Sequence, residues 1–454
     1  MTSIRRNHFL PFTVLAYAMA FPSTASSVSL EIKGGNLPVI AVSPDQNSGL
    51  DGVYVVADLN DCILEYASDS ADKVRWYAFK NLGGAFSEEI NEITVKDNKS
   101  SVKARSGSCG YIVEDNGRNH CFWVVDYSES IFEPHSVKAS EHQSCDATLL
   151  DVDSSCAPIH YYTVNGRQET LSREIPLRYQ TLEWDSESKL YRQVEKEVLL
   201  ANLPSQVSVY PPVYCSTDFT ISEDRFQRQW GQYSEIRSAN FNPYSVAAVT
   251  EAEQLNTLPD GEDLSNIITS GEGSLGGSAP VDISFRAYVT DAVVHSEWQL
   301  ARDEEFEDVA YRIYSSDFEY TFTEDGTLFA RFIASNADGS CEAYGDIYPI
   351  NIGSSVLKIP NAFSPDGDGI NDEWKVAYRS LVDFSCSIFD RNGHQVYSFD
   401  NPATGWDGKR NGKAVNPGVY FYVIQAVGAD GKKYKKSGDI NILRHNDQEN
   451  ISEE

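Results

Sequence analysis

The stretch Asn361–Trp374 reads NAFSPDGDGINDEW, and two others follow it: IFDRNGHQVYSF at 388–399 and GWDGKRNGKAVNPGVYFYVI at 405–424. Glycine and asparagine punctuate short apolar runs, the pattern of strands joined by tight turns. Arg391-Asn392-Gly393-His394 predicts a hairpin turn, because asparagine and glycine accept the positive φ such turns require. Gly405-Trp406-Asp407-Gly408 and Asn411-Gly412 bend the chain between further strands. Pro417-Gly418 opens the most apolar strand, Val419-Tyr420-Phe421-Tyr422-Val423-Ile424, whose nearly continuous apolar run predicts cover on both faces. Strands are expected at 374–378, 384–390, 395–399, 418–426 and 439–443. They make a compact β-domain over residues 357–444, with an acidic tail at 445–454.

The same punctuation runs back through the chain. Residues 28–159 form a first β-rich region, in which 110–114 and 121–125 face each other across Asp115-Asn116-Gly117-Arg118, a hairpin signal. Its strand aromatics Trp76, Tyr77 and Trp123 could line a groove, although such residues more often pack the core. Residues 160–252 show short alternating runs about ten residues apart, the spacing of a sandwich, with room for one short helix in 219–230. Residues 253–277 are rich in Gly, Ser and acidic side chains and read as a flexible linker. Residues 278–352 form an immunoglobulin- or PKD-like module with Trp298 as its candidate core residue. With 25 Tyr and 21 Phe against 2 Met, the composition suits half-buried strands. The expected fold class is all-β: tandem immunoglobulin-like β-sandwich domains behind an N-terminal signal peptide.

That signal is read in residues 1–25, where Arg5 and Arg6 precede an apolar run and small residues. The run is short of the ~20 residues a spanning helix needs. No other stretch is long and apolar enough, so an exported, non-integral protein is expected. A net charge of −30 argues against nucleic acid as a partner, since phosphate binding needs a basic surface. The eight cysteines show no metal-ligand spacing. Cys145 and Cys156 are the expected local disulfide, with Cys109 and Cys121 a second candidate.

The C-terminal motifs carry a family resemblance. Asn361, Phe363 and Pro365, the loop Asp366-Gly367-Asp368-Gly369 with Asn371 and Asp372, Gly393 in its turn, Gly405-Trp406-Asp407-Gly408, and Pro417-Gly418 with Tyr420 stand in the order and spacing of the gliding motility-associated C-terminal domain. This is the type B sorting domain of the Bacteroidetes type IX secretion system, and the resemblance covers the last fifth of the chain. It implies an immunoglobulin-like sandwich that the outer-membrane translocon reads as an address. The protein would then end outside the cell or attached to its surface. The sequence departs from the family at Asn392, where many members carry Trp.

Three features bear on chemistry. Asp366, Asp368, Asn371 and Asp372 place oxygen ligands in one loop and would supply part of a calcium site; such residues equally cap their own turn. Lys432, Lys433, Lys435 and Lys436 form a basic patch in an acidic chain, suited to docking on acidic groups of the translocon or lipopolysaccharide, or to protecting a sheet edge. Glu183 and Asp185 flank Trp184, a combination found in sugar sites. Among the histidines, none makes a metal spacing, and His135 and His142 form the one loose constellation. No cofactor beyond calcium is implied. The expected role is structural, adhesive or ligand-binding and non-enzymatic, toward an extracellular glycan or protein. The alternative is a secreted carbohydrate- or peptide-active enzyme or binding module with its site in 28–252.

Overall fold

A computed structural model describes residues 30–255 and 275–443. The signal segment 1–25, the tail 445–454 and most of the linker, 256–274, lie outside the described residues. Four β-sandwiches follow one another.

In the first, Glu31–Lys33, Ile63–Ala67, Lys99–Lys103 and Thr94–Lys96 form a 4-stranded sheet, in that spatial order. The facing 6-stranded sheet contains Gly52–Val56, Arg118–Asp126, Cys109–Asp115 and Arg75–Phe79. The hairpin across Asn116 and Gly117 closes with Asp115 opposite Arg118, and both turn residues have positive φ (50° and 76°). Trp76 and Trp123 line no groove. Both are buried in the core, and Trp76 donates its indole N–H to Ser100 Oγ at 2.9 Å.

The second sandwich begins earlier than expected. Thr148–Ser155 pairs with Glu133–Ala139 on one side and Gln206–Val209 on the other in a 3-stranded sheet. Leu190–Leu200, Ile175–Asp185, Thr220–Ser222 and Glu235–Arg237 make the 4-stranded one. The boundary expected at 159/160 is therefore corrected to about 130. The cause is an insertion: the hairpin Ile159–Tyr162/Gln168–Leu171 and the helix Arg225–Gln229 belong by sequence to the second sandwich but pack on the first. Ile159, Tyr161, Leu171, Phe226 and Trp230 share one buried cluster with Val53, Phe79 and Trp123. Alternation announces a strand without saying which sheet receives it.

The third sandwich repeats this strand order. Ala248–Gln254, Val281–Val289 and Asp317–Phe322 face a sheet containing Val309–Ile313, His295–Ala301, Gly326–Ser335 and Tyr348–Ile352. Both ends of the expected linker 253–277 are thus strand: 253–254 close the first strand, and Leu275–Gly277 runs parallel to Tyr348–Ile352. Trp298 is wholly buried against Phe285 and Phe332. In the fourth sandwich a 5-stranded sheet orders Ala362–Phe363, Lys433–Ile442, Gly418–Gly428, Leu381–Phe389 and Gln395–Phe399. Short paired strands cover one of its faces.

Specific contacts fill the joints. Between the first two sandwiches, Arg173 and Asp224 form a buried ion pair (2.6 Å; 1% and 0% exposed). Asp224 also accepts from Tyr127 Oη (2.9 Å) and from the backbone N–H groups of Phe226 and Gln227 (both 3.0 Å), capping the short helix. The remaining Arg173 donors reach the Ser130 and Ala157 carbonyls. Between the second and third, Cys145 is bonded to Cys341. The expected Cys145–Cys156 bridge is corrected: the two residues flank the strand Thr148–Ser155, whose 8 residues extend over about 26 Å. Cys156 instead donates to Asn202 Oδ1 at 2.9 Å. The third and fourth sandwiches meet at Ser380, which accepts from Ala279 N (3.1 Å) and donates its own N–H to Ser278 Oγ (2.7 Å).

Replacing Asp224 by Ala strands a buried guanidinium, for which a loss of roughly 3–5 kcal/mol is expected. Urea unfolding of the Asp224→Ala chain measures it.

Candidate functional site

The quoted C-terminal motifs, scattered over some sixty positions, converge into one packed unit. Phe363 is buried with its ring 5.6 Å from that of Trp406. Trp374 and Trp406, both wholly buried, exchange backbone hydrogen bonds (2.9 and 3.1 Å). Their indoles donate to the Pro360 and Lys409 carbonyls at 2.8 and 2.9 Å. Tyr420 packs edge-on against Trp406, and its hydroxyl donates to the Asn416 carbonyl at 3.0 Å. This ties the start of the apolar strand to its own approach, as a tyrosine corner does.

Gly408 explains why a glycine follows Trp-Asp. Its φ is +71°, and a Cβ there would lie 3.1 Å from Pro365 Cγ and 3.4 Å from the Phe363 ring. Asp407 accepts from both the backbone N–H and the ammonium of Lys409. In the hairpin turn, Gly393 has φ +81°, and Asp390 accepts from the N–H groups of Asn392 and His394. Asn361 accepts through its carbonyl from Asn441 N (2.9 Å), joining the motif to the last strand. Pro417 precedes Gly418, whose φ of +138° starts the long strand.

The acidic loop closes on itself. Asp372 accepts from the N–H groups of Gly367 (2.6 Å) and Gly369 (2.8 Å). Asp366 accepts from Asp368 N, and Asp368 from Ile370 N. Asn371 contributes a positive φ (54°) and a carbonyl that accepts from Ser364 N. Asp366, Asp368 and Asp372 each offer one carboxylate oxygen within 4.8 Å of the others. Three oxygens are half or fewer of the six to eight that calcium takes.

The four lysines lie at and beside the last long strand. Lys433 and Lys435 stand opposite Val427 and Gln425, and Lys436 opposite Ile424. The Lys432 ammonium lies 4.8 Å from the Tyr434 ring centroid. Ala362–Phe363 pairs with only Asn441 and Ile442 of this strand. Among the described residues its outer edge is therefore open along the lysines, which suits edge protection. Burial on both faces, expected for 419–424, is corrected to one. Tyr420 and Ile424 face the core, whereas Val419, Phe421 and Val423 are 43–47% exposed, because among the described residues no second layer covers the outer face.

The enzyme-like groupings do not assemble. Glu183 pairs with Lys196, and Asp185 with Arg192 at 2.7 Å. Trp184 is sandwiched by Tyr191 (5.3 Å) and Tyr288 of the third sandwich (4.9 Å). His135 lies on a strand beside Asp153 (3.6 Å) and Glu133, and His142 is exposed in the following loop. Sequence reasoning missed the joint residues Arg173, Asp224, Cys341 and Ser380. The pairings Arg173–Asp224, Ser380–Ala279 and Cys341–Cys145 span 51, 101 and 196 positions, and no local pattern points across such distances.

The two glycine N–H donors hold the Asp372 carboxyl below its usual 3.8. A depressed folded value stabilises the loop above the unfolded pKa, and that contribution is lost as pH falls through the lowered one. The Gly367 and Gly369 amide resonances should therefore shift together on acidification below the ordinary aspartate range. In the Asp372→Asn chain that transition should vanish.

Residues 357–442 match the family described as CHU_C Type IX secretion signal domain, and residues 136–238 match the family described as Fibronectin type III domain. No curated protein matches the chain. Among solved structures, a tetra-tandem repeat from the extending region of a large adhesion protein is 12% identical; the match covers 85% of this chain and 96% of that one at a TM-score of 0.20. The FN1–FN3 domains of chicken CNTN1 are 10% identical, covering 68% and 98% at 0.25. A structure reported for host cell surface retention of a 1.5-MDa bacterial ice-binding adhesin is 8% identical, covering 69% and 98% at 0.20. No function follows from likenesses at these scores. The C-terminal fifth of the chain is a type IX secretion signal domain of the CHU_C family, and it marks the protein for export to the cell surface or beyond.

Proposed function

We propose that this chain is a non-catalytic surface protein whose upstream sandwiches serve an adhesive or ligand-binding role once the C-terminal domain has delivered them. The observation that carries the reading is the convergence of the 361–420 motifs into one packed domain at the end of a row of sandwiches joined by specific contacts. The uncovered face at Val419, Phe421 and Val423, next to Lys433 and Lys435, is the surface we assign to docking on acidic groups of the translocon. No helix of the described residues is long and apolar enough to cross a membrane.

Export can be tested by fusing residues 353–443 to a reporter in a bacterium with a working type IX system. The reporter should become accessible to external protease. The same fusion with Trp406→Ala, which empties the domain core at a cost of about 3–5 kcal/mol, should stay inside. Surface delivery of the full chain after removal of 357–443 would overturn the reading. Charge reversal of Lys432, Lys433, Lys435 and Lys436 to Glu should lower delivery without unfolding the domain.

The Asp366–Asp372 loop is read as self-supporting. Calcium titration of the full chain should give neither heat nor a shift in melting temperature; a clear shift would assign Asp366, Asp368, Asn371 and Asp372 to a calcium ion.

A further inference from the structure

A cleft of about 450 Å³ opens between the second and third sandwiches. One wall carries Asn242 and Tyr244, and the other carries Asp291, Val294 and Asp338. The walls are held together. The Cys145–Cys341 disulfide crosses the joint, Asn336 Nδ2 donates to the Tyr244 carbonyl at 3.2 Å, and the Tyr244 hydroxyl meets Ser340 Oγ at 2.7 Å. A ligand entering the cleft would not have to order its walls, which is where preorganised sites gain affinity.

The unused groups define what would bind. Asp291 is exposed and, among the described residues, makes no hydrogen bond or ion pair with the protein. Asp338 spends Oδ1 on Ser340 and keeps Oδ2. Asn242 accepts through Oδ1 from Ser216 Oγ at 3.1 Å, which leaves its amide N–H₂ free to donate. Val294, 61% exposed, supplies an apolar floor beside Ala292 and Ala337. Among the described residues, no Lys or Arg lines the cleft. Two carboxylates without a cation repel anionic ligands, and an apolar ligand would leave them desolvated and unpaired. A lysine or arginine side chain would satisfy the carboxylates but offers nothing to the Asn242 donor. A sugar hydroxyl both donates and accepts, and a pyranose ring also presents a C–H face to an apolar floor.

We propose that this cleft is a binding site for a neutral oligosaccharide, an assignment that rests on the ligand-binding reading above and gives it a location. The test uses the purified, oxidised full chain on an array of neutral, sialylated and sulfated glycans, with oligolysine as competitor. Neutral glycans should bind in preference to the acidic ones. Asp291→Ala should weaken binding about tenfold, as expected for losing one charged hydrogen bond. Val294→Lys should abolish binding by filling the floor. Both positions are exposed, so the melting temperature should hold. Replacing Cys145 and Cys341 by Ser should also weaken binding by freeing the walls. Glycan binding unchanged in Asp291→Ala and Val294→Lys would overturn the cleft while leaving a ligand-binding role intact. Absence of any glycan binding, or stronger retention of oligolysine than of glycans, would overturn the ligand class. These readouts are made on the purified protein, so a failure of the export reading would show separately, in the reporter fusion.

Discussion

The arrangement of the N-terminal half depends on one buried charge pair. Arg173 and Asp224 sit at the joint of two sandwiches, shielded from water, where an unmatched charge would be very costly. They are tolerated because their hydrogen-bonding capacity is largely used. Asp224 accepts from Tyr127, Arg173 and two helix N–H groups, and Arg173 reaches two carbonyls from other segments. A pair satisfied by so many segments fixes their mutual orientation more narrowly than apolar packing would. Around it the inserted hairpin and the short helix complete the core of the preceding sandwich, and Trp230 donates its indole N–H to the Pro38 carbonyl at 2.7 Å. The first two units therefore share buried apolar surface, and the core of the first is completed by segments that lie within the sequence of the second.

Legibility in the sequence followed the range of the interaction. The Asn116-Gly117 turn was readable because two adjacent residues alone decide its geometry. The C-terminal motifs were readable because each glycine or tryptophan has a local reason to stand there, and Trp298 declared itself as core by its place on a central strand. The contacts between units were not readable. Cys145 pairs with a partner 196 positions away, and the nearer Cys156 is kept apart by an extended strand. The docking of 159–171 on the wrong side of the expected boundary followed from apolar positions that any sheet would have accepted.

The apolar run at 419–424 failed as a guide for a different reason. Its composition suited a strand buried on both faces, but burial requires a second layer, and among the described residues only one face has one. The exposed Val419, Phe421 and Val423 are still good strand formers, so their presence is compatible with the local backbone as well as with a partner. In the candidate site, local rules recovered the turns and the tryptophans. The open edge that hosts the lysines emerged only from the pairing of strands remote in sequence.

The covalent link between Cys145 and Cys341 changes how the protein would come apart. Every peptide bond from 145 to 341 lies inside a closed covalent ring. A single proteolytic nick anywhere in that ring, including the Gly- and Ser-rich segment that joins Ala248–Gln254 to Leu275–Gly277 in the third sandwich, opens the ring without separating the chain. The N-terminal sandwiches would remain tethered to the C-terminal signal domain. A second cut within the ring would free only the piece between the two cuts; releasing the first sandwich would take reduction of the bond, or a cut outside the ring.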